Sequence, residues 1–263
     1  MVILFRGTGN HTNKLFQAVH LEAFCLENHV RYYNPSLGPM ARYYGVRYTI
    51  FDSLLSFVII VLNKLRLVRI VDFTNPDEIQ SYYRRVAEDG LVLARGWYFR
   101  ASDLTKKYRE YFVRKYSLLP HYYRGNELYQ KLAGLDRHQH VLVGIHIRKR
   151  DYKTWENGKY FFGDDVYQKA MKNFSAQYSR VSRKNVLFVM FSDEPITIPE
   201  DENIIISLNP WYVDHVLMSQ CDYLIGPPST FTMWASYISN ALYFHIKDEA
   251  GIVNLDEFKH CDG

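Results

Sequence analysis

At 263 residues, 48% of them apolar, the chain is long enough for one large domain or two modest ones and can bury a substantial core. Its formal charge is only +4, and apart from the run Arg148-Lys149-Arg150 its basic residues are spread among acidic ones, which argues against a nucleic-acid partner. Three widely spaced cysteines, Cys25, Cys221 and Cys261, form no Cys-x-x-Cys pair, so neither a disulfide framework nor a zinc site is expected and a reducing, cytoplasmic compartment is the simpler reading.

The apolar start is too short for a secretory signal and reads as a core strand over residues 2–5. A polar loop, Arg6-Gly7-Thr8-Gly9-Asn10-His11-Thr12-Asn13, leads to a helix over residues 14–28, where Leu15, Val19, Ala23 and Leu26 recur at near-helical spacing. Residues 29–33 read as a second strand, broken by Asn34-Pro35-Ser36-Leu37-Gly38-Pro39. Residues 54–62 are strongly apolar and are followed by Lys64, Arg66 and Arg69. This run is too short to span a bilayer as a helix. A buried core helix or strand is the first reading, and contact of residues 54–70 with an anionic membrane surface is the second. A charged helical region follows around residues 76–89.

The second half is more regular. A strand over residues 141–147 leads to a helix around residues 165–178, with Val166, Ala170, Phe174 and Tyr178 on one face and Asp164 as its N-cap. Strands follow at residues 186–191, 203–207, 223–225 and 242–246, with helices around residues 213–220 and after Ser229. Apolar strands alternating with helices imply a parallel sheet covered on both faces. The expected fold is α/β, with two Rossmann-like halves and a cleft between them, residues 1–130 and 131–263, dividing somewhere within residues 120–140. The first half rests largely on symmetry with the second.

The strand at residues 141–147 delivers His146 and Arg148 to its carboxyl end, where open α/β sheets bind ligands. An arginine fork there suits a diphosphate, and a histidine or aspartate serves acid–base chemistry, so an anionic nucleotide compound is the expected ligand. Near the end of the chain, Pro227 and Pro228 stiffen a turn and Ser229 or Thr230 opens a helix before Phe231, converging hydroxyls and free N–H groups on one point. Ser192 and Asp193 close a strand; the carboxylate either accepts hydrogen bonds from a ligand's N–H or O–H donors or caps the turn. Trp97 and Tyr98 either stack on sugar faces or simply pack, as most of the 22 tyrosines must. No Asp-x-Asp triplet is present, and Asp164-Asp165 suits helix capping, so no metal and no cofactor are expected.

Several of these segments resemble one family. His146-Ile147-Arg148-Lys149-Arg150-Asp151-Tyr152 is similar to the His-x-Arg-Arg-x-Asp-Tyr motif of the alpha-1,2-fucosyltransferases, a branch of a GDP-fucose-using superfamily. Lys149 replaces the second arginine, keeping charge but losing the planar fork, and Arg150 stands where glycine is frequent. Thr12-Asn13-Lys14-Leu15-Phe16-Gln17 resembles the family's Gly-Asn-Gln-Met/Leu-Phe-Gln opening, with Thr12 in place of glycine and Lys14 in place of glutamine. Gly96-Trp97-Tyr98-Phe99-Arg100-Ala101-Ser102, Phe191-Ser192-Asp193 and the segment from Ser229 to Ala235 match further family segments in the same order.

The resemblance implies a GT-B architecture and inverting transfer of fucose from GDP-fucose to a hydroxyl of a glycan acceptor, with an alpha-1,2 linkage to galactose and without metal. It assigns donor binding to Asn13, Arg148, Ser192, Asp193, Ser229, Thr230 and Phe231, and acceptor binding to Trp97 and Tyr98. Arg148 would stabilise the leaving phosphate. The base would come from Asp151, Glu156 or His146, unless His146 orients its neighbours instead. The rival reading is a GDP-sugar- or carbohydrate-binding protein of the same fold with weakened turnover, favoured by Lys149 and Arg150. A nucleic-acid binder is a third, and scattered charge speaks against it.

Overall fold

The computed structural model describes residues 1–263, which form two compact units, Met1–Leu119 with Asp262–Gly263, and Pro120–Cys261. In the first unit the chain runs β1 (Val2–Arg6), α1 (His11–Glu27), β2 (Tyr32–Tyr33), a 3-10 stretch (Pro35–Tyr44), α2 (Ile50–Lys64), β3 (Val71–Phe73), α3 (Ile79–Glu88), β4 (Val92–Gly96), α4 (Ser102–Lys107) and α5 (Arg109–Lys115). Its four strands pair in parallel in the order β2-β1-β4-β3. Val2 and Leu4 of β1 pack with Leu21 and Cys25 of α1 and with Phe73, Tyr82 and Val86, which supplies the apolar cover a parallel sheet requires.

Two expectations change here, and two strands appear that were not foreseen. The second strand shrinks to two residues, because His29 takes a left-handed conformation (φ 55°) that turns the chain out of α1. β3 and β4, three and five residues long, are too short to carry a periodic signal. The apolar run of residues 54–62 is not a core element. It lies in α2, of which only Asp52 and Ile59 are buried, while Ile50, Phe51, Leu54 and Phe57 are exposed. The helix exists because Thr49 and Asp52 form a reciprocal capping box at its start. No helix of the protein is long and apolar enough to cross a membrane.

The second unit begins with α6 (Glu127–Ala133) and continues through β5 (His140–Ile147), 3-10 turns at Asp151–Lys153 and Trp155–Gly158, α7 (Asp164–Val181), β6 (Asn185–Ser192), β7 (Ile204–Ser207), α8 (Trp211–Ser219), β8 (Tyr223–Gly226), α9 (Thr230–Ile238) and β9 (Leu242–His245). Residues 120–130 belong with this unit, ahead of the expected boundary. Asn126 Nδ2 donates to Asn209 Oδ1 at 2.6 Å, and the Tyr122 and Tyr212 rings meet edge to face.

All five strands are parallel, in the order β7-β6-β5-β8-β9. β5 is central and buried from Val141 to Ile147, as its unbroken apolar run requires, and α7 lays Val166, Ala170, Phe174 and Tyr178 against it. The chain winds from β5 toward β7 on one side and returns through β8 on the other, so the strand order reverses between β5 and β8. Their carboxyl ends flank the crevice where such sheets bind ligands. One cap differs from expectation: Gly163 is the N-cap of α7 and Asp164 its first helical residue.

Candidate active site

β5 ends by directing His146 into the protein and Arg148 toward its edge. Gly226, at the end of β8, permits this close pairing, because a Cβ there would sit 2.7 Å from the carbonyl oxygen of His146. His146 is buried, and its Nδ1 lies 2.9 Å from Thr232 Oγ1 in the first turn of α9. Its ring stacks on Phe231, whose other neighbour is the ring of His215 at 3.8 Å. Burial, helped by the nearby Arg148 and His245, lowers the His146 pKa to about 3, so this imidazole is neutral at physiological pH.

Arg148 is held between two carboxylates. Its Nη2 lies 2.7 Å from Asp151 Oδ1, and its Nη1 lies 3.0 Å from Asp193 Oδ2, the latter an ion pair without hydrogen-bond alignment. Asp193 also accepts the backbone N–H of Lys149 through Oδ1 at 2.8 Å. The carboxylate at the tip of β6 therefore fixes both the backbone and the side chain that leave β5. Lys149 itself turns away, bonded to Asp164. Asp164 also accepts from the amide and hydroxyl of Thr197 at 2.6 and 2.7 Å; against the opposing effect of burial, these bonds hold its pKa below the usual value. This pairing, rather than capping, is what Asp164 does. Arg150 is exposed at the rim.

The two segments singled out in the sequence meet. Tyr152, kept protonated by burial that raises its pKa to about 12, donates its hydroxyl to the carbonyl of Pro228. The Arg148 loop is thereby tied to the proline turn. Ser229 is the N-cap of α9, its Oγ accepting from Phe231 N at 3.2 Å, while Ser229 N points to His245 Nε2 at 3.5 Å. A helix N-terminus thus opens onto the edge that carries a fixed guanidinium, an arrangement suited to a phosphate.

His146, Arg148, Asp151, Ser192, Asp193, Ser229, Thr230 and Phe231 all stand at the carboxyl edge of this one sheet. The Ser192 hydroxyl is engaged locally, donating to Glu194 O at 2.6 Å. Glu156 lies in an exposed left-handed turn (φ 50°), and its carboxylate makes no hydrogen bond or ion pair with the cluster. Asn13, Trp97 and Tyr98 belong to the first unit. Asn13 sits in the first turn of α1, its side chain filling the space over Gly9 (φ 74°), and Gln17 clasps the same loop through Thr8 N and O at 2.9 and 2.7 Å. Trp97 and Tyr98 follow β4, and the Arg100 guanidinium covers the Trp97 ring at 4.0 Å.

Sequence reading missed Thr232, His215 and His245. Thr232 lay inside a recognised segment, and His245 was visible only as a polar residue closing a parallel strand at the ligand-binding edge.

A parallel sheet with a clamped arginine and a capped helix start at its switch point defines the class of α/β protein whose sheet edge is suited to an anionic ligand. The chain belongs to glycosyl transferase family 11, a fucosyltransferase family, whose profile matches residues 107–248. No curated protein matches the sequence. Among solved structures, a mutant of Arabidopsis thaliana FUT1 in complex with GDP is 9% identical over 98% of this chain and 73% of its own, with a TM-score of 0.54. The fucosyltransferase NodZ from Bradyrhizobium is 13% identical over 94% of this chain and 95% of its own, with a TM-score of 0.56. The alpha-1,6-fucosyltransferase NodZ soaked with GDP-fucose is 11% identical over 98% and 97%, with a TM-score of 0.52. The fold is of the GT-B-like type that these neighbours share.

Proposed function

We propose that this glycosyltransferase moves fucose from GDP-fucose to a galactose hydroxyl of a glycan, with inversion and an alpha-1,2 linkage. The observation that carries the reading is the convergence of Arg148 and the α9 N-terminus, locked together by Tyr152 and Pro228. As the sugar–oxygen bond breaks, negative charge grows on the β-phosphate. The free N–H groups of Arg148 and the backbone N–H groups of α9 are already aimed, so little reorganisation is needed. The two carboxylates around Arg148 orient the fork, and its remaining donors serve the phosphate.

His146 has the role of a positioning group in this reading. With a pKa near 3 and Nδ1 committed to Thr232, it joins β5 to α9 and is a poor base. Asp151, half exposed beside Arg148, is the better candidate for receiving the acceptor proton. Asp193 supports donor binding mainly through Arg148, and Asn13, Trp97 and Tyr98 are assigned to substrate contacts of the first unit. Cationic and N–H groups supply the positive charge a leaving diphosphate needs, so the reading requires no metal. Two bound neighbours, one with GDP and one soaked with GDP-fucose, support the donor assignment. Three free, buried cysteines suit a reducing compartment.

The test is a thermal-shift comparison of GDP, UDP and ADP, followed by transfer assays on Arg148→Ala. Stabilisation by GDP above the others, with loss of transfer in the variant, is expected. An active Arg148→Ala enzyme at saturating acceptor would overturn the phosphate assignment.

A further inference from the structure

α2 turns its apolar residues in two directions. Ile59 faces inward, with Leu55 and Ile60 packed beside a small cluster formed with Ile3, Phe5 and Leu93. On the opposite side Ile50 is 80% exposed, Leu54 56% and Phe57 63%, at i, i+4 and i+7, so they form one stripe. Phe51 and Val58 widen it, and Leu65 and Leu67 extend it past the helix end. A contiguous apolar face of this kind on a folded chain marks an interaction surface.

The charge around it identifies the partner. Between residues 42 and 71 the chain carries five cations, Arg42, Arg47, Lys64, Arg66 and Arg69, against one carboxylate, Asp52, which is buried in the capping box. The formal excess of +4 therefore resides wholly in this segment, and the rest of the chain is neutral. Lys64, Arg66 and Arg69 are exposed and form no ion pair. A second copy of the chain would set these cations against themselves. An apolar stripe ending in cations fits a surface that offers both hydrocarbon and negative charge.

We infer that α2 and the segment after it dock this protein on anionic lipid bilayers, with the helix lying in the interface plane. At 15 residues it lies on the membrane and does not cross it. Its apolar face would enter about 5–10 Å into the headgroup and acyl boundary, and each basic residue near the surface would strengthen binding about fivefold. This docking stands apart from the donor assignment and would survive its failure.

The experiment is co-sedimentation of the full chain with vesicles of phosphatidylcholine alone and of phosphatidylcholine mixed with phosphatidylglycerol. Binding to the mixed vesicles is expected, at least about tenfold tighter than to neutral ones and weakened by salt. Leu54→Ser with Phe57→Ser should lower the partition at least about tenfold. Lys64→Gln, Arg66→Gln and Arg69→Gln together should lower it without touching the apolar stripe, about fivefold per charge. Val181→Ser, which alters an apolar residue 73% exposed on the second unit, should leave it unchanged. Equal affinity for both vesicle types, no effect of either variant, or a dimer in sedimentation velocity that the Leu54/Phe57 variant dissociates without any vesicle binding would each overturn the inference. So would unfolding of that variant, since the face would then be packed.

Discussion

Replacing Arg148 with lysine keeps the charge and removes the fork. In the native site Nη2 stands 2.7 Å from Asp151 Oδ1 and Nη1 3.0 Å from Asp193 Oδ2, so a single Nζ can reach one carboxylate or a phosphate, not all three. Loss of a donor aimed at developing charge costs about 10²–10³ in kcat. The structural cost is smaller. Asp151 is half exposed, so its pair contributes at most about 1 kcal/mol. Asp193, with a side chain 13% exposed, loses more, about 1–3 kcal/mol. Transfer should therefore fall about a hundredfold or more while the melting temperature drops by about 5–10 °C, at about 2–4 °C for each kcal/mol lost. Initial rates of GDP release from GDP-fucose at saturating acceptor, read beside thermal unfolding, measure both. A lysine variant that transfers at close to the native rate would refute the bidentate geometry as the source of catalysis.

Gly226→Ala should destabilise the protein by about 1–3 kcal/mol in denaturant unfolding and impair transfer, because the new methyl group would press on the His146 carbonyl 2.7 Å away. Stability should also fall with acid. His20 and His146 have pKa values lowered to about 3, and His245 to about 4, all chiefly by burial, so below 6.5 the unfolded chain takes up protons that the native protein refuses. Asp214, raised to about 7 by burial, works in the opposite direction, because the native protein protonates it well above the ordinary 3.8. The net excess of about two protons on the unfolded chain gives a loss on the order of 3 kcal/mol per pH unit around pH 5. Asp214→Asn should steepen that slope to about 4 kcal/mol per unit, and a profile flat from pH 7 to 5 would contradict neutral burial of the histidines. Transfer should persist in excess EDTA; loss of activity that magnesium restores would show that a metal takes part.

The second sheet was legible in the sequence because each strand is an apolar run flanked by turn residues, and α7 because Val166, Ala170, Phe174 and Tyr178 keep helical spacing. The proline turn and the serine cap before α9 were legible for the same local reason. What neighbours decide was not. Asp193 clamps Arg148 only because β6 lies beside β5, and His245 reaches Ser229 only because β9 lies beside β8. Lys149 stands where the motif has its second arginine, yet Asp164, at the start of α7, claims its charge. In α2 composition promised apolar surface, but whether a second layer covers that surface is a property of the whole packing, and here none does. Periodicity and turn chemistry are written within a few residues. Partners, burial and the pKa values that follow arise from chain segments dozens of residues apart, which only the folded sheet brings into contact.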